Sequence, residues 1–130
     1  MPLQYVQDDT KRRITVAVTG PFTISDLVGV VEHQLSAGAW RYGLLVDARD
    51  PLILPPISDF RALASRVSEL IAEHGPRGPI AVVSRDASTI GAAHRHVLLT
   101  GKIETIEVFW DWDDGQRWLD GRLARTGADG

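Results

Sequence analysis

The chain has no cysteine among its 130 residues. This absence excludes disulfide bonds, thiolate catalysis and zinc or iron–sulfur centres held by cysteine. It also fits a reducing compartment, so we expect a cytoplasmic location. Long apolar runs are missing too: none approaches the roughly 20 residues that a membrane-spanning helix needs. The first residues, MPLQYVQDDTKRR, lack the apolar segment of a secretory signal. We therefore expect neither a transmembrane segment nor a secretory signal.

Basic residues are not in excess. The chain has 17 acidic and 14 basic side chains, which give a formal net charge of −3. Proteins that bind nucleic acid by releasing counterions carry a basic face. The basic residues here are scattered and cluster only at Lys11, Arg12 and Arg13. We interpret this cluster as a solvated turn and predict no nucleic-acid partner.

Motifs that would indicate an enzyme are also missing. The chain contains no G-x-S-x-G elbow, no G-x-G-x-x-G and no phosphate-binding G-x-x-x-x-G-K-[ST]. No two histidines have the H-E-x-x-H spacing, and His94 and His96 would point about 200° apart on a helix. His94 shares a predicted helical stripe with Ile90, Val97 and Leu98, so we interpret it as a half-buried packing residue. We predict no metal site, no cofactor and no enzymatic activity.

The chain does contain a regular alternation of strand and helix patterns. Residues 3–7 and 13–19 predict an antiparallel hairpin, since Ile14, Val16 and Val18 alternate with small or polar residues. The predicted helices cover about residues 23–37, 58–74, 86–101 and 111–125, and the later strands cover residues 43–48, 79–84 and 104–109. Helices between strands favour parallel pairing. We predict one α/β domain over residues 1–125, with a mixed sheet of about five strands and four helices, and a flexible tail over residues 126–130.

Three stretches of the chain carry a resemblance to a known group: the strand YGLLVDAR, the helix opening SDFRALASRV and the ending IEVFWDWDDGQRWL. Together they resemble the SpoIIAA-like proteins, small bacterial relatives of the STAS domain that are often described as STAS/SEC14-like. In that group a Val-Phe pair ends the last strand, an aspartate follows and the final helix carries Trp-Leu. The matching residues here are Val108, Phe109, Asp111, Trp118 and Leu119. The resemblance spans about residues 3–122 and implies a SpoIIAA-like fold with a non-enzymatic regulatory or protein-interaction role.

The resemblance also implies a site at Ser58. STAS-type antagonists of anti-sigma factors carry a phosphorylatable serine where a helix follows the strand that ends in aspartate, and Ser58 is the nearest match. The loop before it is longer than in the family, holds Pro51, Pro55 and Pro56, and lacks the family's Ser-Gly pair. We therefore predict Ser58 as the N-cap of its helix, with phosphorylation of Ser58 as an implied extension.

Polar side chains lie where two neighbouring strands of the predicted sheet end. In an open α/β sheet, ligands and partners dock beyond the carboxyl ends of the strands. We predict a rim for a partner or ligand that consists of Asp47, Arg49, Leu52, Ile53, Leu54, Ser58, Ser84 and Arg85. Two interpretations stay open for its arginines: they hold an anion beside helix N-termini, or they pair with nearby aspartates.

The loop that begins at Pro51 and ends at Ile57 is apolar and reads PLILPPI. Because the family is also described as SEC14-like, the resemblance implies an alternative function. This loop would then be the lid of an apolar pocket that binds a small molecule or a lipid. The two functions differ in what they require of Leu52, Ile53 and Leu54. A protein-contact surface would expose these side chains, whereas a lid would bury them.

The chain contains four tryptophans, which is a high number for 130 residues. We expect Trp118 in the core, because it shares a helical face with Leu119 and Leu123. Trp110 and Trp112 flank the start of the final helix, and we expect at least one of them to be exposed. Exposed tryptophans are enriched at association surfaces. A homo-oligomer through Trp110 and Trp112 therefore stays open, beside the alternative that both pack locally.

Overall fold

The structure is a computed structural model that describes residues 3–50, 53–100 and 104–129; the side chains of Ile57 and of residues 124–129 lie outside that description. The described elements follow in the order β1 (Leu3–Asp8), β2 (Arg13–Val18), α1 (Ile24–Ser36), β3 (Gly43–Ala48), a 3₁₀ turn (Ile57–Asp59), α2 (Phe60–His74), β4 (Ile80–Ser84), α3 (Ala87–Leu99), β5 (Ile106–Phe109) and α4 (Trp112–Asp129). The predicted alternation of strands and helices is confirmed.

The strands form one sheet in the order β1-β2-β3-β4-β5. Strands β1 and β2 pair antiparallel, whereas β2 to β5 pair in parallel. The predicted hairpin and mixed sheet are therefore confirmed. Because the parallel strands lie side by side in their chain order, crossovers of one hand carry α1, α2 and α3 to the same face of the sheet.

Different helices cover the two faces of the sheet. On one face, Val46 and Val82 belong to an apolar layer shared with α1, α2 and α3. On the other face, Leu45 and Val83 pack against Leu119 of α4. Successive residues of β3 and β4 thus serve opposite faces. This double burial explains why β3 reads as an apolar run without alternation.

Side chains cap the starts of three helices. Thr23 Oγ1 accepts from the N–H of Asp26 at 3.1 Å, and the Asp26 carboxylate accepts from the N–H of Thr23 at 2.8 Å, which completes a capping box for α1. Asp86 at α3 and Asp111 at α4 each accept from the N–H three residues further on. These contacts satisfy N–H groups that have no partner inside the helix.

Helix α2 does not begin at Ser58, so the predicted N-cap is wrong. The N–H of Asp59 donates to the carbonyl oxygen of Pro56 at 2.9 Å, which closes the 3₁₀ turn that precedes the helix. The α-helix then begins at Phe60, and among the described residues no side chain caps it. Because Ser58 lies inside this 3₁₀ turn, Asp59 and not Ser58 occupies the position directly before the helix. Ser58 lies exposed on this turn.

The predicted apolar face of α3 is also wrong. His94 is exposed, whereas Thr89 and Ala92 are buried. The helix is rotated so that His96 faces Glu104, with 2.7 Å between His96 Nε2 and Glu104 Oε1. His96 thus lies on the same side of the helix as Thr89 and Ala92, which line the space between α3 and the sheet.

Helix α4 is longer than predicted. It continues to Asp129, past the expected end near residue 125, because no proline interrupts it. The segment predicted as a flexible tail therefore begins inside a helix, and its flexibility stays a prediction. No helix within the described residues is both long and apolar enough to cross a membrane.

Gly78 allows two chain segments to approach each other closely. A Cβ atom added there would lie 2.2 Å from the carbonyl oxygen of Tyr42 and 2.4 Å from that of Arg41. Because both are backbone atoms, we expect Gly78→Ala to lower the free energy of unfolding by at least about 2 kcal/mol. In the control Gly29→Ala the new Cβ meets nothing within 4 Å, and helix propensity predicts a gain of about 0.5–1 kcal/mol. Urea denaturation measures both changes, and equal midpoints would contradict the close approach.

Candidate functional site

A cavity of about 170 Å³ lies between the sheet and the layer of α1, α2 and α3. Its walls are mainly aliphatic and aromatic side chains. They include Val16, Val46, Val82 and Ile106 from the sheet and Val30, Phe60, Leu63 and Ala92 from the helices. Protein interiors pack at crystal-like density and leave few voids larger than a water molecule. The cavity is therefore the first candidate for a ligand site.

The apolar loop after β3 contributes one residue to the cavity and exposes another. Leu54 is half-buried, lines the cavity and packs against the apolar residues around it. Ile53 is 74% exposed, and Leu52 lies outside the described residues. Leu54 thus has the position expected of a lid, and Ile53 has the position expected of a contact surface.

Three ionisable side chains line the cavity among the apolar ones. Arg77 Nη1 donates to Glu104 Oε2 at 2.7 Å, and His96 Nε2 lies 2.7 Å from Glu104 Oε1. The side chains of Arg77 and Glu104 are 4% and 0% exposed, so they form a buried ion pair. Arg77 Nη2 also donates to Gln34 Oε1 at 2.7 Å. We call Gln34, Arg77, His96 and Glu104 the polar cluster.

The carboxyl group of Glu104 is ionised in the polar cluster. Burial is the largest single influence and raises its pKa, but the hydrogen bond from His96 and the charge of Arg77 together outweigh burial. The pKa of Glu104 therefore lies below its usual value. The carboxylate balances the charge of Arg77, so the ion pair adds no net charge to the cavity wall.

Trp40 and Gln34 hold Arg77 in place. Trp40 Nε1 donates to the carbonyl oxygen of Gly75 at 2.8 Å, and the Trp40 ring centroid lies 5.5 Å from Arg77 Cζ. Gln34 Nε2 donates to the carbonyl oxygen of Tyr42 at 3.1 Å. These contacts fasten the connector between α2 and β4 to the segment that follows α1.

The sequence analysis singled out no member of the polar cluster as a functional residue. Arg77 lies in a short connector and Glu104 precedes a strand, and charged residues at such places are usually solvated. One signal was present: Gly75-Pro76 and Gly78-Pro79 flank Arg77, and such pairs mark turns that constrain the chain. That signal indicates a constrained residue without naming its partner.

The two arginines of the predicted rim both contact tryptophans. Arg49 donates from Nε and Nη2 to the two carboxylate oxygens of Asp47 at 2.9 Å each, and its Cζ lies 4.5 Å from the centroid of the Trp112 ring. The hydrogen bond from Arg49 lowers the pKa of Asp47. Arg85 Nε donates to the carbonyl oxygen of Trp110 at 3.3 Å, and its Cζ lies 5.8 Å from that ring. Arg49 therefore pairs with an aspartate, whereas Arg85 contacts Trp110.

The two serines of the predicted rim differ in exposure. Ser84 is fully buried, and its Oγ accepts from the N–H of Asp86 at 3.1 Å, so it supports the turn into α3. Ser58 is exposed on the 3₁₀ turn. Its phosphorylation stays a prediction.

Tryptophan exposure matches the sequence analysis at Trp110 but not at Trp118, which was expected in the core. Trp110 is 63% exposed, so the expectation that at least one of Trp110 and Trp112 is exposed is confirmed. Trp118 is half-buried, and its ring centroid lies 5.7 Å from that of Phe109. Trp118 thus packs at the margin of the apolar cluster around the fully buried Leu119.

Replacement of Glu104 tests the buried ion pair. Glu104→Gln keeps the shape of the side chain but leaves Arg77 buried without a counter-charge. We therefore expect the free energy of unfolding at pH 7 to fall by about 3–5 kcal/mol. Glu107→Gln, at an exposed position of β5, is the matched control and should change it by less than about 0.5 kcal/mol. Urea denaturation measures both variants.

The stability difference between wild type and Glu104→Gln should also depend on pH, because the ion pair requires an ionised Glu104. Because the folded-state pKa of Glu104 is lowered, its contribution to stability is complete above the unfolded-state pKa of about 4.3. The contribution is lost as the pH falls through the folded-state pKa. The difference between wild type and Glu104→Gln should therefore shrink below about pH 4. A difference that stays constant from pH 7 to pH 3 would contradict the ion pair.

Neither a protein-family model nor a curated protein matches this chain. Among solved structures, the chain is similar to an uncharacterized protein from the DUF3478 family with a SpoIIAA-like fold from Shewanella loihica PV-4. The two share 19% sequence identity with a TM-score of 0.54, and the match covers 90% of this chain and 91% of that chain. At this identity the likeness concerns the fold. This chain therefore has a SpoIIAA-like α/β fold, as the resemblance of its motifs predicted.

Proposed function

We propose that this chain is a non-enzymatic binding module that holds a small, mainly apolar molecule between its sheet and helices α1 to α3. The observation that carries the proposal is the cavity of about 170 Å³ with its mainly apolar walls. Water inside so apolar a site would find few hydrogen-bond partners. An apolar molecule that replaces this water buries its own apolar surface, so the cavity favours such an occupant.

The volume of the cavity restricts the size of that occupant. An apolar cavity of about 150 Å³ stays dry and binds benzene, whereas sites for drug-sized ligands measure about 300–1,000 Å³. A cavity of about 170 Å³ therefore suits a molecule with one ring or a short branched chain. The cavity is too small for a two-chain lipid.

Small aromatic molecules test the proposal directly. We expect saturating toluene to raise the melting temperature of the wild-type protein by several degrees, because a ligand at 100 times its Kd adds about 2.7 kcal/mol to stability. Ala92→Leu extends a buried side chain of the cavity wall into the void and should remove most of this increase. Ala62→Leu, at an exposed position of α2, is the matched control and should retain it. Differential scanning calorimetry measures all three proteins.

The physiological ligand can be sought on the same variants. Native mass spectrometry of protein purified from its own cells should show a bound small molecule on wild type and Ala62→Leu but not on Ala92→Leu. If the wild-type protein carries no such mass and toluene leaves its melting temperature unchanged, the proposed function is wrong.

A second candidate function is a protein contact through the rim at the carboxyl edge of the sheet. Two large apolar side chains support it: Ile53 after β3 is 74% exposed and Trp110 after β5 is 63% exposed. Exposed tryptophans at interfaces often carry a large share of the binding energy. The partner to test first is a second copy of this chain, because the sequence analysis left open a homo-oligomer through Trp110 and Trp112.

Sedimentation equilibrium measures this self-association. We expect Trp110→Ser to weaken dimerisation at least tenfold, because it removes a large apolar side chain from the contact surface. Leu98→Ser, at another exposed apolar position on α3, is the control and should leave dimerisation unchanged. A wild-type protein that stays monomeric at high concentration would exclude the homo-oligomer.

A further inference from the structure

A groove on the protein surface adjoins the cavity and shares part of its wall. The groove lies between α3 and the segment that leads into α2, and Leu54, Phe60 and Ala92 line both the groove and the cavity. A side chain that lines two spaces lies between them. We therefore call these three residues the partition between the cavity and the groove.

Two neighbouring stripes of α3 face the two spaces. Thr89, Ala92 and His96 line the cavity. Ser88, Ala92 and Arg95 line the groove. Because Ala92 and Arg95 are three positions apart on a helix, their Cβ atoms lie about 5–6 Å from each other. A group that passes the partition at Ala92 therefore comes within reach of the Arg95 side chain.

Leu54 is the member of the partition that the chain holds least firmly. It lies between β3 and the 3₁₀ turn, outside any helix or strand, whereas Phe60 and Ala92 belong to α2 and α3. Segments without regular backbone hydrogen bonds open at a lower cost in free energy than helices do. A displacement of the Leu54 side chain is therefore the easiest way to connect the cavity with the groove.

Arg95 gives the groove a positive charge. Its side chain is exposed and makes no ion pair within the described residues. Among the residues that the structure describes, no acidic side chain lines the groove either. An opposite charge placed there is attracted, and a like charge is repelled. The groove therefore favours an anionic group over a cationic one.

The cavity and the groove favour different parts of one ligand. The cavity walls are mainly apolar, so an ionised group buried there would lose its hydration with little in return. Ser88 and Arg95 of the groove are exposed, so a charged group in the groove keeps part of its water. A molecule with an apolar body and one charged end satisfies both spaces.

We infer that the ligand of the cavity is a small amphipathic anion. Its apolar body fills the cavity, a short chain passes the partition at Leu54, and its anionic group lies in the groove beside Arg95. This inference rests on the proposed function, since it names the chemical class of the molecule that the cavity binds. It assigns Leu54 as the gate and Arg95 as a residue that determines specificity.

Two probes that differ in charge test the role of Arg95. The compounds 3-phenylpropionate and 3-phenylpropanamide share a ring and two methylene groups and differ in the end group. We expect isothermal titration calorimetry on the full chain to show the carboxylate binding at least about threefold more tightly than the amide at low salt. High salt should reduce this preference, because it screens charges near the surface.

Variants of two exposed arginines locate the preference. Arg95→Gln should remove the preference for the carboxylate. Arg61→Gln, at an exposed position of α2 outside the groove, is the matched control and should keep it.

The outcomes separate the inference from the proposed function. If the amide binds the wild-type protein at least as tightly as the carboxylate, or if the preference survives Arg95→Gln, the anionic assignment is wrong and the proposed apolar site stands. If toluene binds but neither phenylpropanoid compound does, the passage through the partition is wrong. If toluene does not bind either, the proposed function fails and the inference fails with it.

Leu54→Ala tests the gate. The variant shortens the movable side chain of the partition, so toluene should exchange between the cavity and water several-fold faster than in wild type, as measured by NMR saturation transfer. Ile53→Ala is the control, because Ile53 is 74% exposed and lines neither space. An exchange rate that is the same in Leu54→Ala and wild type would show that the ligand enters elsewhere and would overturn the gate.

Discussion

The structure depends on the buried ion pair between Arg77 and Glu104. Glu104 precedes β5 and Arg77 precedes β4, and hydrogen bonds extend from the pair to His96 on α3 and to Gln34 on α1. One carboxylate thus fixes the relative positions of two strands and two helices. Because a buried charge without its partner is strongly unfavourable, these four elements have to assemble together. The cavity lies inside the frame that they form.

The chain order of the strands explains why the cavity lies on one face of the sheet. Three crossover helices share that face, and their spacing is fixed by the strands that they connect and by the polar cluster. Helix α4 follows the last described strand and packs directly against the other face. It lies so close to the sheet that a Cβ atom on Gly115 would be 3.0 Å from Val83 Cγ2. One face is therefore tightly packed, while the other retains a void.

The order of strands and helices could be predicted because each element is indicated by the residues within it and directly beside it. The bounds of β3, Gly43–Ala48, follow from its apolar run and its flanking residues. The polar cluster could not be predicted, because Arg77 and Glu104 are 27 positions apart and neither has a local reason to be buried. The orientation of α3 was predicted wrongly because periodicity placed His94 on the buried face, whereas in the structure His94 is exposed and His96 contacts Glu104. The error at Ser58 has a local cause, since the 3₁₀ turn after Pro56 includes Ser58 and the α-helix begins only at Phe60.

The position of Glu104 in the chain has a consequence for synthesis on the ribosome. Gln34, Arg77 and His96 all leave the ribosome before Glu104, and domains begin to fold from their N-terminal part as they emerge. Until Glu104 arrives, Arg77 has no counter-charge, so burying it beneath the helices is unfavourable. We therefore expect the nascent chain to keep its helical layer open until β5 is added, with its apolar surfaces accessible to chaperones up to that moment.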